Sequence, residues 1–484
     1  MAKKENGIIR KIFGYSIASW FSALISFIVV PISSHIYSAD DFGKINFFLS
    51  VGSICYTVLC LGLDQGYIRF YSMTKEENSR RQLLSFDLLL VFSVLLTVSV
   101  LAVPFWRYIS LWLFGEETLP LLMMLPCYVA GLLAIRFFST RYRMEEDLPR
   151  YTFLTILLGL ATKGIYLLSV PLGRNYRTAV LFCGAAGDVF LLLMMMAQRK
   201  ALAVPAAGRN RGLFLAELKF SLPLIPAMLM SLLNNNIPQF MLRAFDGFDY
   251  LAGYSVAVTV ATALNVIQTG FNTFWTPYVF QNHETKQRQI QKIHRYIVTL
   301  MPLLAMGIVL FQDVIFLVVN EDYRYITQFL PFLILTPLCY TIGETTCVGI
   351  ALRMKTGWNM CIYALSALVN CLSCLMLIPT LGPSGGAISA GIGAVTALIL
   401  KTILGQKYYC SMKSVWPMAV NVTVFVAMAV LNLIFFGNPR GVLLTGFILV
   451  SFCVLPHNFS ILKEMLCYMG RMRPSPKTDR QDGR

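Results

Sequence analysis

Among the ionisable side chains inside long apolar stretches of this sequence, seven stand out: Asp64, Asp87, Arg136, Lys163, Asp188, Asp313 and Glu344. A charge in hydrocarbon is costly, so each is a candidate for binding, moving or gating something charged. Asp87 and Asp313 stand near the ends of their stretches, where a side chain can reach the interface. Asp64 has Arg69 little more than one helical turn away, which allows a local ion pair as well as a gating role. Lys163 and Asp188 lie near the middle of consecutive stretches; they either neutralise each other or face a cavity in which Lys163 binds an anion. Arg136 and Glu344 are 208 positions apart, an interval that relates other features of the chain. Symmetry of that period brings both towards a shared central path, as a gate or proton-sensitive pair, unless each is simply a structural charge.

A second group is neutral. Asn265, Gln268 and Asn272 are spaced i, i+3 and i+7, which is one face of a helix. Asn234, Asn235, Asn236 and Gln239 load the preceding apolar stretch. Amides both donate and accept hydrogen bonds, which suits a hydroxyl-rich sugar or a polar headgroup; the alternative is hydrogen bonding between packed helices. The sequence holds no G-x-x-x-x-G-K-[ST] loop and no H-E-x-x-H, so ATP hydrolysis on a phosphate loop and the metalloprotease chemistry of the second motif are excluded. No catalytic residue, cofactor or metal site is expected. Cys371 and Cys374 form a lone C-x-x-C inside an apolar stretch, too little for zinc. Any pumping must draw on an ion gradient, the membrane potential or the substrate's own gradient.

The elements that position these residues follow from composition. At 57% hydrophobic and 13% charged, the chain is an integral membrane protein. Fourteen apolar runs of about 20 residues, enough to cross a bilayer core, are Ile12–Ile36, Ile45–Gly66, Leu83–Pro104, Leu119–Phe138, Tyr151–Val170, Ala179–Ala197, Phe214–Met241, Leu251–Phe274, Tyr296–Val318, Phe329–Leu352, Met360–Ile378, Ala387–Leu404, Val415–Phe436 and Val442–Ser460. Open strands cannot face lipid, so the fold class is all-α. Lys and Arg crowd the amino terminus, every second loop and the tail, and this predicts that both termini are cytoplasmic. The same bias accounts for the net charge of +16 without nucleic acid, since no soluble basic face with stacking aromatics is present. The cysteines lie mostly within apolar runs, as packing residues.

The chain is also duplicated. Lys11-x-x-Gly14-Tyr15-Ser16 is answered by Lys219-Phe220-Ser221, Phe42-Gly43 by Ala252-Gly253, and Gly62-Leu63-Asp64 by Gly270-Phe271-Asn272. A long fixed period signals internal repetition. The expected organisation is an N-terminal lobe of six helices (1–198), a cytoplasmic linker (199–213), a second six-helix lobe (214–404), two appended helices (405–460) and a cytoplasmic tail (461–484). Six helices per lobe put both lobes into the membrane in the same direction, with a pseudo-two-fold axis along the membrane normal and the substrate path between them.

Three stretches carry a family likeness: Lys11-Ile-Phe-Gly14-Tyr-Ser with Pro31, Tyr37-Ser-Ala-Asp-Asp-Phe42-Gly43, and Gly62-Leu-Asp64-x-x-Tyr67-x-Arg69-Phe-Tyr71. With fourteen spans and two lobes, the chain resembles the Wzx-type oligosaccharide flippases of the multidrug/oligosaccharidyl-lipid/polysaccharide exporter superfamily. The resemblance implies alternating access in a bacterial inner membrane, translocating undecaprenyl-pyrophosphate-linked repeat units for O-antigen, capsule or exopolysaccharide assembly. Its partners would be the lipid-linked oligosaccharide, membrane lipid, a polysaccharide polymerase and a chain-length regulator. It implies that Arg136 and Lys163 are cavity cations. Taken with the residues above, the expected substrate cavity is Arg136, Lys163, Asn235, Asn265, Gln268 and Asn272, with coupling or gating by Glu344, Asp188 and Asp64. The rival readings are a cation-coupled drug antiporter of the same superfamily, a lipid II-type flippase, and a polyprenyl-dependent membrane enzyme. The short outer segments, Phe105–Thr118 and Val319–Gln328, weigh against the enzyme.

Overall fold

The computed structural model describes residue 21, residues 24–25 and residues 27–435 except 75, 200–210, 246, 354 and 356, and then 438, 446, 458, 459, 461, 463 and 464. The start of the first apolar run, most of the linker, nearly all of the last run and most of the tail lie outside these residues. Every regular element among the described residues is helical. In chain order they are α1 (Phe27–Ile36), α2 (Ala39–Leu59), α3 (Leu63–Met73), α4 (Glu77–Ala102), α5 (Trp106–Phe114), α6 (Leu119–Met144), α7 (Leu148–Lys163), α8 (Tyr176–Ala197), α9 (Arg211–Ser221), α10 (Leu224–Phe245), α11 (Asp249–Ala261), α12 (Leu264–Asn282), α13 (Gln287–Leu310), α14 (Leu330–Thr346), α15 (Val348–Leu352), α16 (Gly357–Tyr408) and α17 (Trp416–Ile434).

Eight helical stretches among the described residues are long and apolar enough to cross a membrane, or nine with the bent pair Glu321–Gln328 and Leu330–Thr346. Several runs expected as single spans are broken. The second run divides into α2 and α3 at Leu61 and Gly62, both at positive φ; the seventh divides into α9 and α10 around Pro223, and the eighth into α11 and α12. The 52 residues of α16 would reach about 78 Å as one rod, far beyond a bilayer. It folds back at Gly382 (φ 53°, ψ −130°), a conformation that only glycine adopts cheaply. Ser366 Oγ donates to the Gly393 carbonyl across the two arms at 2.7 Å. This hairpin holds the eleventh and twelfth expected spans.

Local chemistry sets the other ends. Ser38 caps α2, Asp147 caps α7 and Asn175 caps α8, each side chain accepting from a first-turn backbone N–H. Close packing of α6 on α8 depends on glycine: a Cβ on Gly131 or Gly187 would strike the facing backbone, the small-residue contact expected between membrane helices. The outward surface carries large apolar side chains, among them Leu89, Leu96, Leu101, Leu192, Leu193, Ile399 and Ile403. Such a surface suits lipid and would aggregate in water.

Each half of the chain packs chiefly on itself. In the N-terminal half α6 is central, against α7, α8, α2 and α4; in the C-terminal half α16 packs on α10 and α14. The halves meet along a seam where α2 and α3 run beside α9, α10 and α11. The last described helix, α17, attaches to α13 and α14, with Asn421 Nδ2 donating to the Val298 carbonyl at 2.9 Å.

Candidate functional site

The seam is closed at both ends, and each closure is made of different groups. The end bearing the strongly basic loops is called the basic end here. At the far end, a Cβ on Gly43 would overlap the Phe248 carbonyl oxygen, so the halves approach to backbone contact. Arg243 donates from Nε to the Trp112 carbonyl (2.9 Å) and from Nη2 to the Leu111 carbonyl (3.0 Å). Asn320 donates from its backbone N–H to Ser34 Oγ at 3.2 Å. Phe47 stands edge-on to Phe240 and Phe248.

At the basic end α3 meets α9. Gly62 faces the Ser221 carbonyl, and a Cβ on Gly66 would overlap Ser221 Oγ. Phe86 of α4 stacks on Phe214 of α9 with centroids 4.4 Å apart, and the Arg69 guanidinium lies over the Phe220 ring at 4.4 Å. Beneath this aromatic cover, Asp87 from the N-terminal half and Glu217 from the C-terminal half are side-chain neighbours. Both are 0% exposed.

Inside each half lies a buried ion pair. Arg136 Nη2 donates to Asp64 Oδ2 at 2.7 Å, and Gln65 Nε2 donates to the same oxygen at 3.0 Å. Asp64 is 2% exposed while Arg136 keeps 36% of its side chain open. In the other half Lys401 Nζ donates to Glu344 Oε1 at 3.0 Å. The same ammonium lies over the rings of Tyr340 and Tyr363, at 4.3 and 5.3 Å.

These pairings correct three sequence expectations. Arg136 and Glu344 do not meet across the path, because each finds an opposite charge within its own half, where the cost of a buried charge is lowest. Asp64 pairs with Arg136, not with Arg69, whose guanidinium is turned to Phe220. No ion pair joins Lys163 to Asp188: Lys163 ends α7 with an exposed side chain, and Asp188 is half-buried beside Cys127. Asp87, expected to snorkel, is instead fully buried at the seam. Asp313 lies 3.5 Å from Arg324.

The amides do converge. Asn235, Asn265 and Gln268 line one cavity of about 300 Å³, together with Asn234, Thr262 and Tyr340. Asn234 is braced by Asn370 Nδ2, which donates to its carbonyl at 2.9 Å, while Asn235 projects an exposed side chain. A neighbouring cavity of about 270 Å³ holds Glu344, Lys401, Trp275 and Asn359, and Tyr340 lines both. Asn272 lies outside these two cavities, with its Oδ1 buried and without a hydrogen-bond partner among the described residues. A neutral hydrogen-bonding wall therefore adjoins a compensated charge, which can hold a polar solute without demanding an ionic one.

Two residues of this arrangement, Glu217 and Lys401, went unrecognised in the sequence as chemical groups. Both lie inside apolar runs, Phe214–Met241 and Ala387–Leu404, and so meet the criterion that picked out the other seven. Their nearness to basic loops hid them.

The family model for "Polysaccharide biosynthesis protein" matches residues 8–283. The chain belongs to that family. No curated protein sequence matches it. Among solved structures it is similar to the lipid II flippase MurJ in an inward closed conformation, with a TM-score of 0.70 at 12% identity over 93% of this chain and 99% of that one. It is also similar to a multidrug resistance MATE family transporter of the MOP superfamily, in its outward-facing form with a TM-score of 0.52 and in its inward-facing form with 0.52, at 16% and 15% identity. Each match covers 82% of this chain, and 95% and 93% of the other. The likeness shows the fold of this multi-pass membrane protein, which is shared with those structures.

Proposed function

We propose that this protein is a flippase that carries undecaprenyl-pyrophosphate-linked oligosaccharide repeat units from the cytoplasmic to the outer leaflet of a bacterial inner membrane, for surface polysaccharide assembly. The observation that carries this reading is the amide-lined cavity beside a seam sealed at both ends, in a chain of the polysaccharide biosynthesis family. Two bundles, the N- and C-terminal lobes, rock about the seam so that one end opens while the other holds. The basic end faces the cytoplasm, as the charge bias predicts, and so do both termini. Asn235, Asn265, Gln268 and, after a small rotation of α12, Asn272 bond the sugar hydroxyls. Arg136 and Lys163 attract the pyrophosphate: Arg136 already exposes part of its guanidinium, and a diphosphate displaces Asp64 from it by charge and bidentate fit. Glu344, Asp188 and Asp64 register that change in charge and couple it to lobe movement. No chemical bond is made or broken in this cycle, and the protein acts with a polymerase and a chain-length regulator downstream.

The test is a deletion strain assayed for undecaprenyl-linked intermediates and surface polymer together. The expected outcome is accumulation of complete repeat units facing the cytoplasm with loss of surface polymer. Normal polymer with raised sensitivity to cationic drugs would replace this reading by the antiporter, and accumulation of peptidoglycan precursor would replace it by a lipid II-type flippase.

A further inference from the structure

We propose that Asp87 and Glu217 form a proton-binding site that holds the basic end of the seam shut only while the two carboxyls share a proton. The two residues come from opposite halves of the chain, α4 and α9, and their contact exists only when that end is closed. Both are wholly buried. All four of their carboxyl oxygens lack a hydrogen-bond partner among the described residues, and so does Ser221 Oγ, one turn beyond Glu217 and equally buried. Glu217 Oε1 and Ser221 Oγ converge on the same point above the Gly66 Cα. Two carboxyls and a hydroxyl buried together in this way call for a shared proton between them, because buried polar groups in folded proteins are otherwise satisfied.

Among the described residues, no side chain supplies that charge. On α3, the Asp64 carboxylate is already engaged by Arg136, Tyr67 is a neutral neighbour and Arg69 lies over Phe220. On α6, Arg136 is bonded to Asp64 and Arg141 to Glu145. On α4, Arg80 donates to the Thr74 carbonyl and Arg81 pairs with Glu77; on α9, Lys219 is exposed. On α2, the ionisable groups on this side are Tyr56 and Cys60, both neutral as phenol and thiol. Two adjacent carboxylates with no cation repel each other, whereas one proton makes the pair a donor and an acceptor across the seam. Closure therefore takes up a proton and opening releases it, so acid favours the closed end and alkali the open one.

The inference uses the lobe movement of the proposed function but not its cargo, and a conformational readout keeps the two separable. Fluorescent amino acids are encoded in place of Arg143 and Lys286, exposed residues on opposite halves at the basic end, in the full chain in lipid nanodiscs. Energy transfer is followed across a pH series in choline chloride. In the wild-type background the closed-to-open ratio should fall by about tenfold per pH unit through the titration, as linkage to one proton requires. Glu217→Gln and Asp87→Asn, whose amides donate without titrating, should hold the closed state across the series; Glu217→Asp should keep the response. A flat wild-type profile, or the same profile in both amide variants, overturns the proposal. So does closure at fixed pH that requires sodium in place of choline, which would assign a metal cation instead. Should the variants fail to fold, infrared spectra of the wild-type protein decide: a protonated-carboxyl band that disappears as the seam opens at alkaline pH is required, and its absence refutes the site.

Discussion

Among the described residues of this membrane protein lie three buried carboxyl systems, and two of them differ from the third in kind. Asp64 with Arg136, and Glu344 with Lys401, each join a carboxylate to a cation inside one bundle. Asp87 with Glu217 joins two carboxyls across the seam between bundles. The first two are compensated and move as parts of their own half, so relative motion of the halves need not break them. The third is uncompensated and is broken by any opening of the basic end. Charge is thus compensated within each half and left uncompensated where the two halves meet.

That contrast sets an order of expected effects. The largest belongs to Lys401→Met, which strands Glu344 in a cavity lined by Trp275 and Tyr340. Breaking a buried pair in this way costs about 3–5 kcal/mol, and the low end is expected because Glu344 keeps 23% exposure. Thermal melting in detergent should drop clearly for the single variant and recover for Lys401→Met combined with Glu344→Gln. Equal melting of the two would mean that packing, not charge, is what Lys401 supplies.

A smaller loss is expected from Arg136→Met, of about 1–3 kcal/mol, because Gln65 still donates to Asp64 and the guanidinium is partly exposed in the native protein. Adding Asp64→Asn should restore the melting temperature, and failure to do so would break the parallel between the two bundles. The smallest effect is reserved for the seam. Glu217→Gln should leave melting near neutral pH within about 1 kcal/mol of wild type, the net worth of one hydrogen bond, and raise it at alkaline pH. A strong destabilisation would show Glu217 to be compensated after all.

Much of this molecule was legible in its sequence, but not evenly. Apolar length and charge bias dictated the helices, because lipid leaves a backbone no other way to satisfy its hydrogen bonds. Of the three residues at i, i+3 and i+7, Asn265 and Gln268 line one cavity and Asn272 does not. Partnership was another matter. Asp64 and Arg136 were both singled out, yet nothing local links residues on different helices, and the nearer Arg69 offered a plausible match that the fold spends on Phe220. The repeat interval placed Arg136 and Glu344 in corresponding helices but could not show that each satisfies its charge before reaching the axis. Helix breaks at Leu61–Gly62 and at Gly382 depend on one or two positive-φ residues, which periodicity averages away.

The glycines of the seam carry one more consequence. Gly43 and Gly66 bring backbone and side-chain atoms of the two halves into direct contact at opposite ends. A carrier for a bulky cargo needs a passage wide enough to short-circuit any electrical or chemical gradient across the bilayer. In the proposed cycle, two glycine-lined seals in series would let such a passage open on either side in turn while the membrane stays insulated.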